Sequence, residues 1–302
     1  MDRARWALDY AASIALSIRM QFVHNLHFPC PLWALPLLLA LLPGCARVPE
    51  PRLFPHAPND ITVRVDALLP VGLIALGEQH DAAEHQQIHR QVIEYLAVRG
   101  QLAALALEMA EAGTSTAALK SNSNQLQVQA ALGWNDKSWP WSAYGPAVMA
   151  AVKAGVPVLG ANLPAAQMRH AMTDSKLDRQ LPGPALKAQQ QLIRIGHCGL
   201  LPEDRIAPMT RIQIARDISM ARTMEQAAFP GKTVILLAGS GHINRELGVA
   251  QHLTPGTTFK AVLLRAGPTD AAEGASFDAV WPTPALPEQD HCAGLQEKLT
   301  TK

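Results

Sequence analysis

Two segments place carboxylate and imidazole side chains directly after apolar runs. In the first, the apolar run stops at Gly77 and is followed by Glu78 and His80. In the second, the run ends at Gly239, and His242 again lies three residues after the glycine. Carboxylates and imidazoles are the usual groups of acid–base and metal chemistry in proteins. The repeated Gly-x-x-His pattern therefore marks both segments as candidate parts of one site.

Both apolar runs have the length and composition of buried strands, and the glycines predict tight turns where they end. In an open α/β sheet, ligands bind beyond the carboxyl ends of the strands, where Glu78 and His80 would stand. A third strand-like run, residues 102–109, carries Glu108 near its end. A buried carboxylate is costly without a partner. Glu108 either faces the same cleft or forms a salt bridge with a neighbouring arginine.

A helix is predicted after the first turn, with Asp81 as its cap and Glu84 completing a capping box. His85 and His89 lie four residues apart near the edge of its apolar face. The spacing is that of zinc proteases, but residue 86 is glutamine and not their catalytic glutamate. We expect His89 to be a surface residue at the edge of the apolar face. For His85, the sequence is equally consistent with a surface position and with a position in the site.

The chain is poor in aromatic residues, yet Trp134, Trp139, Trp141 and Tyr144 lie close together. Pro146 suits the first turn of a helix over residues 147–154, which would put Tyr144 just before that helix.

The remaining segments complete an alternation of strands and helices, which predicts an α/β sheet covered by helices. We expect Arg216, Asp217 and Arg222 to be surface charges on an amphipathic helix. The other expectations are helical segments at 114–129 and 165–230, strands at 156–160, 233–238 and 258–264, and an irregular tail from residue 267 onward.

The amino-terminal region has the features of a bacterial lipoprotein signal. The apolar run 31–42 is too short to cross a bilayer and ends shortly before Gly44-Cys45. We predict a signal peptide over 1–44, with translation starting at Met1 or Met20, and lipidation of Cys45. A plain secretory signal is the alternative. A Pro-rich linker (45–59), a folded domain (60–283) and an irregular tail (284–302) would follow.

Composition and cysteine count indicate which kinds of ligand and which cellular environment the protein meets. The 302 residues include 48% hydrophobic and 17% charged residues with a net charge of +1, so no charge excess suggests nucleic-acid binding. If Cys45 is lipidated, Cys198 and Cys292 form an even pair. Because exported proteins meet an oxidising environment, we predict a disulfide between them.

Several short motifs, each weak alone, occur together in a specific order. They are Gly77-Glu-Gln-His80, Leu107-Glu-Met109, Trp141 to Pro146, Gly155-Val-Pro-Val158 with Asn162-Leu-Pro164, His197-Cys-Gly199, Ala215-Arg-Asp217 with Met220-Ala221, and Gly239-Ser-Gly-His242 with Gly248-Val249. Their order and spacing resemble the ChaN family of haem-binding lipoproteins, within the wider group of Tiki proteases and erythromycin esterases. The resemblance covers nearly all of the mature chain and implies a mainly parallel, helix-flanked α/β sheet of the erythromycin esterase/ChaN type.

The resemblance also implies an iron-regulated lipoprotein of the bacterial outer membrane or periplasm that binds haem. It implies a tyrosine ligand to the iron, a homodimer around stacked haems and an outer-membrane receptor as partner. The mature chain offers Tyr95, which we expect in the core, and Tyr144. We predict Tyr144, Trp141 and His85 as the haem-binding residues.

The wider group implies a rival function, a hydrolase that depends on a divalent metal. Here Glu78, His80, Glu108 and His242 would bind one zinc or manganese ion, and Glu78 and His80 would be catalytic. No serine nucleophile elbow is evident in the sequence. A surface lipoprotein scaffold with a vestigial cleft is the third alternative.

Overall fold

The computed structural model describes residues 60–269 and 274–293, and these form one helix-flanked sheet. The six strands are β1 (Leu73–Glu78), β2 (Leu102–Glu111), β3 (Val158–Asn162), β4 (Thr233–Gly239), β5 (Phe259–Ala266) and β6 (Ala279–Thr283). Their order across the sheet is β3-β2-β4-β1-β5-β6, and every neighbouring pair is parallel. The predicted fold class, a mainly parallel α/β sheet, is confirmed.

Helices cover both faces of the sheet. They are α1 (Ile61–Asp66), α2 (Ala83–Val98), α3 (Gln125–Ala131), α4 (Trp141–Lys153), α5 (Ala165–Thr173), α6 (Gly183–Gly196), α7 (Glu203–Gln226) and α8 (Ser240–Ile243), with 3-10 turns at Ser175–Arg179 and Val249–His252. On one face, α2 and α4 pack against Ile74 and Leu76 of β1. On the other face, α7 packs against Leu73 and Ala75 of the same strand. Alternate side chains point to opposite faces, so both faces of the central strands are apolar and buried.

Gly77 explains how β1 reaches the site. A β-carbon at this position would lie 2.5 Å from Ile243 in α8. Only glycine lets the short helix α8 approach the strand this closely. As a result, β1 continues through the predicted turn, and Glu78 is its last residue.

Two helices in the amino-terminal half of the domain begin at other residues than predicted. The predicted cap at Asp81 is wrong, because α2 begins after Ala82 and has no side-chain cap. The predicted helix over 114–129 is also wrong, since only Gln125–Ala131 is helical there. That helix begins where Asn124 and Gln127 form a capping box.

The expected irregular tail from residue 267 contains a strand that the sequence did not indicate. β6 pairs with β5 at the edge of the sheet and includes Pro282. Proline cannot donate to a central ladder, but an edge strand tolerates it. Residues 284–290 that follow form neither helix nor strand.

Two other predictions concern the amino-terminal signal and the disulfide. Cys45, with the signal peptide and the linker before residue 60, lies outside the described residues. None of the helices within the described ranges is long and apolar enough to cross a membrane. The structure joins Cys198 and Cys292 in a disulfide.

Candidate functional site

The carboxyl ends of β1, β2 and β4 bring Glu78, His80, Glu108 and His242 together. His80 Nδ1 lies 2.6 Å from Glu78 Oε1, and His80 Nε2 lies 4.0 Å from Glu108 Oε2. His242 Nε2 lies 3.3 Å from Glu108 Oε1. The four candidate residues from distant parts of the sequence therefore share one buried cluster.

Arg216 is an unpredicted member of this cluster. Its guanidinium donates to Glu108 Oε1 at 2.5 Å and to Asn162 Oδ1 at 2.9 Å, and it is 2% exposed. The Gly239 backbone N–H donates to Glu108 Oε2 at 2.7 Å. Burial raises the pKa of Glu108, but the charges of His242 and Arg216 outweigh it and hold the pKa well below its usual value. Glu108 therefore points into the same cluster as His80 and also pairs with an arginine.

Asp217 is likewise buried, so the expectation of surface charges at positions 216 and 217 is wrong. Asp217 Oδ1 lies 2.5 Å from His242 Nδ1. Burial raises the pKa of Asp217 to about 6. Burial lowers the pKa of His242, but the carboxylates of Glu108 and Asp217 outweigh it and raise the pKa to about 9. This histidine is therefore cationic at neutral pH. Arg222 is exposed as predicted.

Glu78 is the centre of a second set of contacts. The Tyr144 hydroxyl donates to its Oε1 at 2.5 Å, and His89 Nδ1 lies 3.5 Å from its Oε2. His89 is buried, so the expectation of a surface-edge residue is wrong. Burial raises the pKa of Glu78, but the hydrogen bond from His80 and the charges of His89 and His80 lower it overall. Glu78 is therefore an ionised carboxylate inside the fold.

His80 is the member of the cluster nearest to solvent, with its side chain 13% exposed. Its ring meets Trp139 edge to face, with centroids 4.8 Å apart. A β-carbon on Gly239 would come within 2.9 Å of His80 Nε2, so the glycine makes room for the imidazole. Burial lowers the pKa of His80, but Glu78 and Glu108 raise it overall. The carboxyl edge of the sheet therefore presents a partly exposed imidazole that is held between two carboxylates.

Two of the three predicted haem-binding residues have their ligand atoms engaged by other protein groups. Tyr144 lies inside α4 and is 2% exposed, and burial together with Glu78 raises the pKa of its phenol. His85 is fully buried; its Nδ1 accepts from the Gln79 N–H at 3.0 Å, and its Nε2 lies 3.0 Å from Thr283 Oγ1. Trp141 is half-buried. In this arrangement, the Tyr144 hydroxyl and both ring nitrogens of His85 are engaged with protein groups.

Tyr95 differs from the expectation of a core residue. Its ring packs at the edge of the core, but its hydroxyl reaches the surface and donates to Asp66 at 2.8 Å. Arg99 donates to the same hydroxyl at 3.0 Å, and its guanidinium lies 5.2 Å from the ring centroid. Tyr95 is thus the more accessible of the two tyrosines in the described domain.

The described ranges contain no group of three or more His, Cys, Asp or Glu side chains arranged to hold a metal ion. The reason lies in the contacts of the predicted ligands. Glu108 is neutralised by Arg216, and His242 is engaged with Asp217. The cluster balances carboxylates with its own cations, so the prediction of one divalent ion at these four residues is not supported.

Residues 65–253, more than half of the chain, match the family described as haem-binding uptake, Tiki superfamily, ChaN. The chain belongs to this family. A solved ChaN structure from Campylobacter jejuni, reported for cofacial haem binding, is similar at a TM-score of 0.60 and 24% identity. The similarity covers 69% of this chain and 87% of that one. At this identity the likeness shows a shared ChaN fold.

Two other structures resemble this member of the ChaN family at TM-scores too low to define a shared fold. The type III effector HopBA1 has 14% identity and a TM-score of 0.43, over 75% of this chain and 94% of that one. A Bacillus cereus protein has 13% identity and a TM-score of 0.40, over 69% of each chain. No curated protein matches the sequence.

Proposed function

We propose that this protein binds haem and acts in iron acquisition or haem handling as a lipid-anchored protein of the outer membrane or periplasm. Membership of the haem-binding ChaN family carries the haem part of the proposal. The short apolar run that ends before Cys45 supports export and lipidation. Lipidation would hold the domain at a membrane through the linker 45–59.

We assign the iron ligand to Tyr95 and not to the buried Tyr144. Ferric haem iron accepts a phenolate oxygen, and the Tyr95 hydroxyl is at the surface. Partial burial and the hydrogen bond to Asp66 raise the pKa of Tyr95, so iron must displace the phenol proton. Asp66 is placed to accept that proton. Arg99 supplies a cation of the kind that pairs with a haem propionate.

A haemin titration of matched variants tests the ligand. Tyr95→Phe removes the phenolate oxygen and should abolish the phenolate-to-iron charge-transfer band and weaken haem binding. Tyr144→Phe and His80→Ala change groups of the cluster at the carboxyl edge of the sheet and should keep the band. If Tyr144→Phe loses the band while Tyr95→Phe keeps it, the assignment to Tyr95 is refuted.

The homodimer and the outer-membrane receptor belong to the same proposal. Two copies that enclose haem would bring two surface tyrosines together, so haemin should shift the protein from monomer to dimer. Light scattering after size exclusion, with and without haemin, measures this shift. A monomer that binds haemin at full occupancy would contradict the dimer.

Acid–base hydrolysis is a second candidate function, favoured by the geometry of His80. Glu78 fixes one nitrogen of the ring, and the other nitrogen lies 4.0 Å from Glu108 Oε2. A carboxylate-oriented imidazole of this kind can transfer protons during ester hydrolysis. A panel of esters is assayed with wild type and His80→Ala, once without added metal and once with zinc and manganese. Turnover by wild type that His80→Ala abolishes under both conditions would support this function. Equal rates in wild type and variant would exclude His80 as the acid–base group.

A further inference from the structure

A disulfide links the carboxy-terminal segment to the turn between α6 and α7. β6 ends at Thr283 on the carboxyl edge, where its hydroxyl meets His85. The chain then continues without helix or strand through residue 290, and Cys292 forms the disulfide with Cys198. Cys198 lies in the turn that joins α6 to α7. We name residues 284–292 the strap.

The turn that holds Cys198 projects beyond the carboxyl edge of the sheet. The far end of α7 lies at the amino edge, where Glu225 accepts from the Thr254 backbone before β5. Arg216 of α7 contacts Glu108 at the carboxyl edge. The helix begins at Glu203, thirteen residues earlier, which at 1.5 Å per residue places its start roughly 20 Å beyond that contact.

The strap therefore spans from the end of β6 to the projecting α6–α7 turn. Thr283 and Cys292 are nine positions apart, which permits a reach of about 30 Å in an extended chain. Most of the strap is exposed, and Asp290 accepts from the Cys292 and Ala293 backbone N–H groups to form its last turn. Both ends of the strap therefore lie at or beyond the carboxyl edge, where His80 is the partly exposed member of the cluster.

We propose that the strap is a covalently held wall of the cleft that restricts access to His80. The disulfide fixes one end of the strap and the edge strand β6 fixes the other. A ligand that approaches the imidazole from the carboxyl edge would have to pass the strap. The role concerns the cleft itself and does not depend on the proposed haem function.

Carbethoxylation of histidines by diethyl pyrocarbonate, read residue by residue with mass spectrometry, tests the wall. The full-length protein is compared with the double variant Cys198→Ser/Cys292→Ser. Release of one end should raise the labelling rate of His80 by about tenfold, as for a local opening reaction. The buried His242 is the internal control, and its slow labelling should not change.

An unchanged rate at His80 would overturn the proposal. A rise at His80 and His242 together would also overturn it, because the disulfide would then stabilise the whole cluster and not shield the cleft. Dithiothreitol reduces the disulfide to two thiols and is itself oxidised to a cyclic disulfide. Wild-type protein treated with it should show the same His80 labelling rate as the double variant. Because no haemin is present, failure of the haem proposal would leave this measurement unaffected.

Discussion

Removal of Arg216 is the sharpest test of the buried charge cluster. Arg216→Met keeps a long apolar side chain in α7 but removes the cation that contacts Glu108 and Asn162. Glu108 would then be a buried carboxylate held by the Gly239 N–H and His242.

The cost follows from the burial of both charges. Loss of one partner from a buried ion pair typically destabilises a protein by about 3–5 kcal/mol, because the other charge stays uncompensated. Since His242 and Gly239 still contact Glu108, we expect the lower end, about 3 kcal/mol. Arg222→Met is the matched control on the same helix, where the side chain is exposed and the change should stay within about 0.5 kcal/mol.

Urea unfolding followed by tryptophan fluorescence measures both variants. The double variant Arg216→Met/Glu108→Gln should recover part of the loss, because it removes the uncompensated charge along with its partner. Equal midpoints for Arg216→Met and Arg222→Met would refute the view that the Arg216–Glu108 pair compensates a buried charge.

Three further predictions concern His242 and the cysteines. The native pKa of His242 is raised to about 9 from 6.5, so the folded state keeps a proton that the unfolded state loses. Its contribution, at most about 3 kcal/mol, is present below pH 6.5 and lost as the pH rises through 9, and His242→Gln should flatten the unfolding free energy over that window. Mass spectrometry of membrane-extracted protein should find Cys45 acylated at the new amino terminus; an unmodified thiol would refute lipidation. Thiol labelling of denatured, non-reduced exported protein should find neither Cys198 nor Cys292 free, and labelling of both would exclude the disulfide there.

The edge of the sheet that carries the site was predictable from local patterns. Apolar runs that end in glycine indicate buried parallel strands, and parallel strands align their carboxyl ends. Glu78, Glu108 and His242 therefore meet although the sequence separates them widely.

The partners of those residues were not predictable from the same patterns. Arg216 and Asp217 lie on a helix whose charged residues were expected to face solvent. Their buried contacts come from Glu108 in β2 and from His242 in α8. The apolar residues on both sides, Ile214, Ala215 and Met220, were the available signal that the segment is buried all round. His89 was misassigned for the same reason, because its contact with Glu78 exists only in the folded sheet.

Local signals also misled where tertiary contacts dominate. Pro146 suggested a helix start, but α4 begins at Trp141 and includes the proline within the helix. The earlier start carries Tyr144 into the core against Glu78, which removes it from the surface. The ring of Tyr144 does pack with those of Trp134 and Trp139, but its hydroxyl is buried.

We propose that this ChaN-family protein binds haem. Titration of the purified full-length protein with haemin, monitored across the Soret region, tests it most directly. We predict a shifted Soret maximum that saturates at a defined ratio of haemin to protein, with a charge-transfer band typical of phenolate ligation. A spectrum that remains that of free haemin at every ratio would contradict the claim.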